Sequence, residues 1–259
     1  MRMAMVRHRF ITAAMAVLML YSACKLAGIF VGFLRNQEVL AEAQDLYKKS
    51  ETAIPEEARA LDERSEPSVR SRFHSLLDMN EDIVGWVKIA DTPIDYPILQ
   101  AEDNAYYLSR NYRHEETRAG SIFMDFRNDP GAWNRNMILY GHRMKDGSMF
   151  GSLAKFLDED FLKSHRTFSF ETIYDSFDVE VFSVYVTTTD FNYIKTEFAS
   201  DQEYLSFLQE IRERSMYEMD TDVSAADQIV TLSTCDPTLD PKDGRLVVHA
   251  KITKHSNGK

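Results

Sequence analysis

The sequence predicts a mostly β domain, a barrel or a sandwich with inserted helices, preceded by a membrane-spanning helix. Three observations support this prediction. Beyond residue 80, short runs rich in β-branched and aromatic residues follow one another without a regular strand–helix alternation. Residues 10–34 form one long apolar stretch. Hydrophobic residues make up 44% of the 259 residues and aromatic residues 12%, which allows an ordinary core and excludes global disorder.

The apolar stretch at residues 10–34 is long enough to cross a membrane. At about 1.5 Å per residue it spans roughly 37 Å, more than the hydrocarbon core of about 30 Å. Lys25 is costly near mid-span unless its ammonium reaches the headgroups. Three arginines precede the stretch and only Arg35 closely follows it. The positive-inside rule therefore predicts a cytoplasmic N-terminus, with the remainder of the chain outside the cell.

Two other interpretations of the N-terminus stay open, a cleaved signal peptide and a lipoprotein signal. A lipoprotein signal would use Cys24, because Tyr21-Ser-Ala-Cys24 loosely resembles a lipobox. However, Tyr21 stands where an aliphatic residue is usual, and the apolar run continues past Cys24. We therefore favour the uncleaved anchor.

Charge and cysteine content exclude several classes of function. The net charge is −11, and the first 35 residues contain five basic and no acidic residues. This leaves 25 basic and 41 acidic residues, a charge of −16, for the remainder. Such a surface repels nucleic acid. Two cysteines are too few for a disulfide scaffold or a cysteine-based zinc site.

Residues 36–79 are predicted to connect the anchor (residues 1–35) to the β domain (residues 80–259). Residues 37–50 have the composition and spacing of an amphipathic juxtamembrane helix. Residues 52–67 contain two prolines and several acidic residues, which is typical of a linker. Residues 68–79 are compatible with a second helix.

The predicted strands span residues 82–89, 121–125, 136–141, 167–173, 176–188, 228–234 and 245–253, and a Pro-interrupted segment at residues 92–99 follows the first. The predicted helices span residues 103–110, 150–163 and 200–214. We expect Asp103 to cap the first helix, and Ser200 with Glu203 to form a capping box in the last.

Cys235 is the candidate nucleophile, because it is the only cysteine outside the predicted anchor. It ends an apolar strand, where a side chain is both held and accessible. A small buried hydrophobic residue is the alternative for a lone cysteine. An extracytoplasmic location weighs against this alternative, since an idle thiol there risks oxidation.

His142 and Arg245 are candidate partners of the thiol. His142 follows the strand that ends in Leu139-Tyr-Gly, and an imidazole is the usual proton partner of a thiol nucleophile. Arg245 begins the last strand, ten residues after Cys235. If these strands are neighbours, its guanidinium reaches the same rim and can stabilise an oxyanion. The alternative for Arg245 is a solvated surface charge. His249, which lies within the last strand, is expected to have a structural role.

Several of these segments resemble the sortase family. Thr231-Leu-Ser-Thr-Cys235 resembles the signature that ends in the family's nucleophile. Tyr140-Gly-His142 resembles the histidine strand, and Gly244-Arg245-Leu-Val-Val resembles the arginine strand. The likeness runs from about residue 70 to residue 254 and is to class B. The resembling segments lie at residues 95–100, 120–128, 138–142, 146–150 and 187–194.

The resemblance implies an eight-stranded closed barrel with inserted helices and a membrane-anchored cysteine transpeptidase of Gram-positive type, without a metal or cofactor. Such enzymes cut a cell-wall sorting signal after its threonine and join that threonine to an amine of peptidoglycan or its lipid-linked precursor. In class B the signal is often Asn-Pro-x-Thr, and many clients take part in haem-iron uptake. The implied substrate contacts are Asn104, Leu108, Thr189, Tyr193, Ile194, Ser233 and Asp236. Asp236 and the loop at residues 237–243 depart from the class pattern.

The implied mechanism gives each candidate residue a role. Cys235 attacks the threonine carbonyl, His142 moves the protons of the two amines, and Arg245 stabilises the oxyanion. Two other functions stay open: a thiol hydrolase that releases its substrates, and a barrel that only binds sorting peptides.

Overall fold

The computed structural model describes residues 2–53, 68–132 and 134–255. Most of the linker predicted at residues 52–67 lies outside these ranges. The chain divides into two compact units, Met1–Ala41 and Glu42–Lys259. Helix α1 (Arg2–Ala53) is one helix, so the predicted juxtamembrane helix at residues 37–50 is its continuation and not a separate element. Among the described residues, one helical stretch, Ile11–Ser50, is long and apolar enough to cross a membrane.

Eight strands form a closed barrel, which confirms the predicted fold class. The strands are β1 (Ile83–Lys88), β2 (Asp95–Leu99), β3 (Ile122–Met124), β4 (Asn136–Tyr140), β5 (Thr167–Thr172), β6 (Ser176–Thr188), β7 (Ile229–Cys235) and β8 (Gly244–His255). Their order around the barrel is β1-β2-β3-β4-β7-β8-β6-β5. The pairs β2–β3 and β4–β7 are parallel, and the other pairs are antiparallel. Each predicted strand is present, within a few residues of its expected ends.

Two of the predicted helices are shorter than expected. The helix predicted at residues 68–79 is a 3-10 turn, Ser71–Phe73, followed by α2 (His74–Leu77). It starts late because Arg70 is extended, and its N–H donates to the carbonyl of Ile173 at 2.9 Å. The segment predicted at residues 103–110 is helical only over Tyr106–Leu108, and its N-cap is Ala105 and not Asp103. Asp103 Oδ1 accepts from the N–H groups of Ala105 and Tyr106, just before the turn.

The other two helices differ in how well their observed bounds match the predicted ones. The helix predicted at residues 150–163 is divided into a 3-10 helix, Gly151–Leu157, and α3 (Glu159–Ser164). Asp158 separates them because it is extended and its carboxylate caps the N–H of Phe161. Helix α4 (Asp201–Glu213) begins where predicted, with Ser200 Oγ accepting from the N–H of Glu203.

The core lies inside the barrel and beneath α4. Ile98, Leu139 and Val248 are wholly buried, as expected for side chains that point into a closed barrel. On the outside, Tyr204, Phe207, Leu208 and Ile211 of α4 pack with residues of β6, β7 and β8. Burial of each large apolar side chain contributes about 1.5–3 kcal/mol. Because the barrel interior covers one face of β7 and α4 covers the other, the strand is buried on both faces. Only its last residue is exposed.

The C-terminal part of α1 belongs to the same compact unit as the barrel. Tyr47 stacks on Trp86 of β1, with ring centroids 4.1 Å apart. Glu42 accepts from Tyr112 Oη at 2.9 Å and from Arg113 Nε at 3.0 Å. These contacts hold the end of the helix against the outer face of the barrel.

Candidate active site

The site begins where the parallel strands β4 and β7 end side by side. Tyr140 is paired with Ser233 in this ladder. Beyond it, the N–H of Gly141 donates to Ser233 O at 3.3 Å, and Thr234 Oγ1 donates to Gly141 O at 2.8 Å. His142 and Cys235 each lie two residues beyond that pair. Because neighbouring strands are about 4.8 Å apart, the register brings both residues to adjacent positions on one rim.

Gly141 lets the end of β4 pack closely against its neighbours at this rim. A Cβ atom at this position would lie 2.4 Å from Ile122 Cδ1 and 2.9 Å from the ring of Phe150. Both neighbours are buried, so neither can move away cheaply. The glycine before His142 is therefore required by close packing against the barrel wall.

Arg245 lies beside Cys235 on the neighbouring strand. The two residues are paired in the β7–β8 ladder, so the condition set by the sequence, that their strands be neighbours, is met. Arg245 Nη1 donates to Lys242 O at 3.1 Å and to Gly244 O at 2.8 Å. These bonds use only one nitrogen of a guanidinium that has three.

The thiol and the imidazole differ in exposure. Cys235 is exposed, whereas the residue before it and the residue after it are buried. His142 is partly buried, and its Nε2 lies 2.7 Å from the carbonyl oxygen of Leu108. A carbonyl oxygen only accepts hydrogen bonds, so this contact requires a proton on Nε2. The segment that contains Leu108 thus orients the ring.

The predicted substrate contacts fall into two groups around this rim. Four are exposed or partly exposed, namely Asn104, Leu108, Thr189 and Ile194. Three are buried, namely Tyr193, Ser233 and Asp236. The buried residues support the rim from beneath, because Tyr193 Oη and Ser233 Oγ are 2.9 Å apart. Burial raises the pKa of Tyr193, and the Ser233 hydrogen bond and the charge of Arg245 oppose this shift.

Asp236 has a structural partner that the sequence analysis missed. Its side chain is wholly buried and forms an ion pair with Arg143. The N–H of Thr238 also donates to Asp236 Oδ1 at 2.9 Å. A sequence signal was present, since residues of opposite charge directly follow His142 and Cys235.

Asp125 is the second residue of interest that the sequence analysis missed. It lies directly after β3 and its carboxylate is wholly buried. The segment at residues 120–128 resembled class B sortases, which could have drawn attention to it.

His249 lies in the core, as expected for a structural residue. It is wholly buried, and its ring nitrogens lie 2.8 Å from Tyr185 Oη and 2.8 Å from Thr231 Oγ1. It is paired with Thr231, four residues before Cys235 on β7. Burial lowers the pKa of His249 to about 3, so the ring is neutral at physiological pH. Within the described ranges, no group of three or more His, Cys, Asp or Glu side chains could hold a metal ion.

Comparisons with known proteins agree with this architecture. The sortase domain model matches residues 87–253. Sortase B of Listeria monocytogenes is 46% identical over 217 residues, which cover 84% of this chain and 85% of that protein. Sortase B from B. anthracis in complex with AAEK1 is 55% identical with a TM-score of 0.76, covering 88% of this chain and 100% of that chain. A Staphylococcus aureus sortase B–substrate complex is 38% identical with a TM-score of 0.75, covering 86% of this chain and 99% of that chain.

Fold and comparisons together define a cysteine transpeptidase of the kind that sorts proteins to the cell wall. The chain belongs to the sortase family, and within that family to class B. The predictions of the family, of the closed barrel and of an enzyme are confirmed.

Proposed function

We propose that this protein cleaves a sorting signal of the Asn-Pro-x-Thr kind after its threonine and transfers the threonine to a peptidoglycan-linked amine. The single observation that supports this most is the register at the barrel rim. It brings Cys235 next to His142 on one side and opposite Arg245 on the other. Nucleophile, proton carrier and oxyanion donor are the three groups that acyl transfer by a thiol requires.

In the first half-reaction, the Cys235 thiolate attacks the carbonyl carbon of the threonine. The carbonyl oxygen gains negative charge, which the guanidinium of Arg245 stabilises. The C–N bond then breaks, His142 as imidazolium gives its proton to the departing amine, and a thioester to Cys235 remains. The contact between His142 Nε2 and Leu108 O supports this role, because it holds the ring in one orientation beside the thiol.

In the second half-reaction, an amine, and not water, attacks the thioester. Neutral His142 accepts the proton of the incoming amine while its nitrogen bonds to the thioester carbon. The C–S bond breaks, the thiolate returns to Cys235, and a new amide joins the threonine to the acceptor.

We propose that the peptide lies between two segments on either side of the thiol, residues 103–108 and residues 189–194. Asn104, Leu108, Thr189 and Ile194 of these segments are exposed or partly exposed, so they are accessible to a ligand. Tyr193 and Ser233 stabilise this surface from below, and Asp236 acts through Arg143. In the proposed complex, exposed Leu108 and partly exposed Ile194 contact the apolar part of the signal.

We further propose that the protein is a single-pass membrane protein with an extracellular catalytic domain. The residues divide into a cytoplasmic tip and anchor (residues 1–35), a juxtamembrane part (residues 36–79) and the barrel (residues 80–259). Exposed apolar side chains along α1, such as Leu18 and Phe30, support a lipid-facing segment. The acceptor amine would then be in peptidoglycan or its lipid-linked precursor, and the clients would be surface proteins.

Product analysis tests the proposal. Full-length protein in detergent is incubated with an Asn-Pro-x-Thr peptide, with and without a short glycine peptide as the amine, and the products are identified by mass spectrometry. A threonine–glycine amide is expected when the amine is present. Release of free threonine acid only, despite excess amine, would indicate the hydrolase. Binding without cleavage would indicate a sorting-peptide-binding barrel.

A further inference from the structure

Asp125 is a buried carboxylate beneath the candidate site that the mechanism does not use. Asp125 directly follows β3, and its side chain is wholly buried. It accepts from the N–H of Arg127 at 3.0 Å, from Arg127 Nε at 2.7 Å and from Arg127 Nη2 at 2.7 Å. It also accepts from Tyr140 Oη at 2.8 Å and from Asn104 Nδ2 at 3.0 Å. A charge so deeply buried is tolerated only with such a complete set of donors.

This carboxylate connects the two segments proposed to hold the peptide, residues 103–108 and residues 189–194. On one side, Asn104 donates to Asp125, and Asn104 Oδ1 accepts from the N–H of Phe126 at 3.0 Å, so the amide is held at both ends. On the other side, Arg127 Nη2 also donates to the carbonyl of Ile194 at 3.0 Å. Asn104 and Ile194 are 90 positions apart in the sequence, yet they share one carboxylate–guanidinium pair.

The same carboxylate also reaches the histidine strand. Tyr140, which donates to Asp125, lies two residues before His142 on β4. Burial by itself would raise the pKa of Asp125, but the hydrogen bonds from Arg127, Tyr140 and Asn104 lower it overall. The carboxylate is therefore ionised at neutral pH, and its bonds to Arg127 are charge-assisted.

We propose that Asp125 is a positioning residue that, through Arg127, holds residues 103–108 and residues 189–194 at the spacing that an extended sorting peptide requires. The inference rests on the proposed function, because the peptide is the proposed ligand of these segments. Holding both segments before binding removes the entropic cost of ordering them around the peptide. Loss of the pair should therefore weaken peptide binding much more than it affects the chemistry of the thiol.

The test uses Asp125→Asn, which keeps the size of the side chain and removes its charge, and Arg127→Gln, which changes a partly exposed residue. Asp95→Asn is the matched control. Asp95 also accepts a side-chain hydrogen bond, from Trp86 Nε1 at 2.7 Å, but it lies on β2 and contacts neither segment. All variants are compared as full-length protein in detergent, at equal folded fraction measured by circular dichroism.

Kinetics are the first readout. Asp125→Asn and Arg127→Gln should each raise the KM for the Asn-Pro-x-Thr peptide by about tenfold or more. Alkylation of Cys235 by iodoacetamide should change less than about twofold, because a small reagent does not need the flanking segments. Asp95→Asn should change neither quantity. An unchanged KM in both variants would overturn the inference, and so would a loss of thiol reactivity that matches the loss of turnover.

Hydrogen exchange is the second readout, and it does not depend on the peptide. In Asp125→Asn, the backbone amides of residues 103–108 and of residues 189–194 should exchange faster together, whereas in Asp95→Asn neither segment should change. Faster exchange in one segment alone would show that the carboxylate does not hold the two together, and would overturn the inference. If wild-type protein leaves the peptide uncut, the proposed function fails, and exchange alone decides whether Asp125 connects the segments.

Discussion

Arg143 and Asp236 form an ion pair directly beneath the rim of the candidate site. The Asp236 side chain is wholly buried, and that of Arg143 is 29% exposed. Arg143 directly follows His142, and Asp236 directly follows Cys235. The pair therefore joins the ends of β4 and β7 at the point where the proposed nucleophile and its proton partner meet. Such a contact makes the spacing of the two side chains depend on a charge pair and not only on the backbone ladder.

Breaking this pair should be costly. Arg143→Gln leaves the buried carboxylate of Asp236 without its counter-charge, which should lower the free energy of unfolding by about 3–5 kcal/mol. Chemical denaturation in detergent measures the change. Lys163→Gln is the control, because the ion pair of Lys163 with Glu159 is more than half exposed on both sides and should contribute little. An equal loss of unfolding free energy in the two variants would show that the buried pair contributes no more to stability than the exposed pair.

Cys235 should be required for the reaction and not for the fold. Cys235→Ala should abolish cleavage and formation of the thioester, while the melting temperature stays close to that of wild type, because the side chain is exposed. Mass spectrometry of the acyl-enzyme and a circular dichroism melt measure both effects. Cys24→Ala, which removes the other free thiol, should keep full activity. Substantial turnover by Cys235→Ala would reject the mechanism.

Acylation rates of the two variants should distinguish the roles of His142 and His249. His142→Ala should lower the single-turnover acylation rate by at least about a hundredfold, the usual scale for a lost general acid. His249→Gln should retain most of the rate, since its ring is enclosed between Tyr185 and Thr231. The assignment of the proton partner fails if His249→Gln is inactive and His142→Ala is not.

Burial of His249 should make stability depend on pH. The pKa of His249 is about 3 in the folded protein, against 6.5 for an ordinary histidine. The unfolded chain therefore binds more protons below pH 6.5, and the free energy of unfolding falls as the pH falls. Between about pH 7.5 and pH 5 this group alone should remove about 2 kcal/mol. Denaturation curves of His249→Gln should show a smaller loss over this interval; an identical loss would contradict the prediction.

The anchor interpretation can be tested on intact cells. The chain should remain full length in the membrane fraction, with residues beyond Arg35 open to external protease. N-terminal sequencing of the mature protein distinguishes the alternatives. A mature N-terminus at Cys24, carrying lipid, would indicate a lipoprotein, and one beyond it would indicate a cleaved signal.

Much of the local structure was predictable from sequence, because its causes are local. Alternating apolar residues and turn residues located most of the strands, and Ser200 was recognised as a cap from its own side chain. Helix lengths were less predictable. The division at Asp158 and the late start after Arg70 depend on backbone bonds that composition does not reveal.

The sequence by itself determined the apolar N-terminal stretch, the strand content and the three candidate residues Cys235, His142 and Arg245. Only the tertiary structure decided which strands are neighbours, with β4 parallel to β7 and β8 closing against β6. It also decided that Asp236 pairs with Arg143, and that Asp125 connects Asn104 to Arg127 and Ile194. These contacts join residues far apart in the sequence. They leave no periodic pattern in the chain, because their partners meet only when the barrel closes.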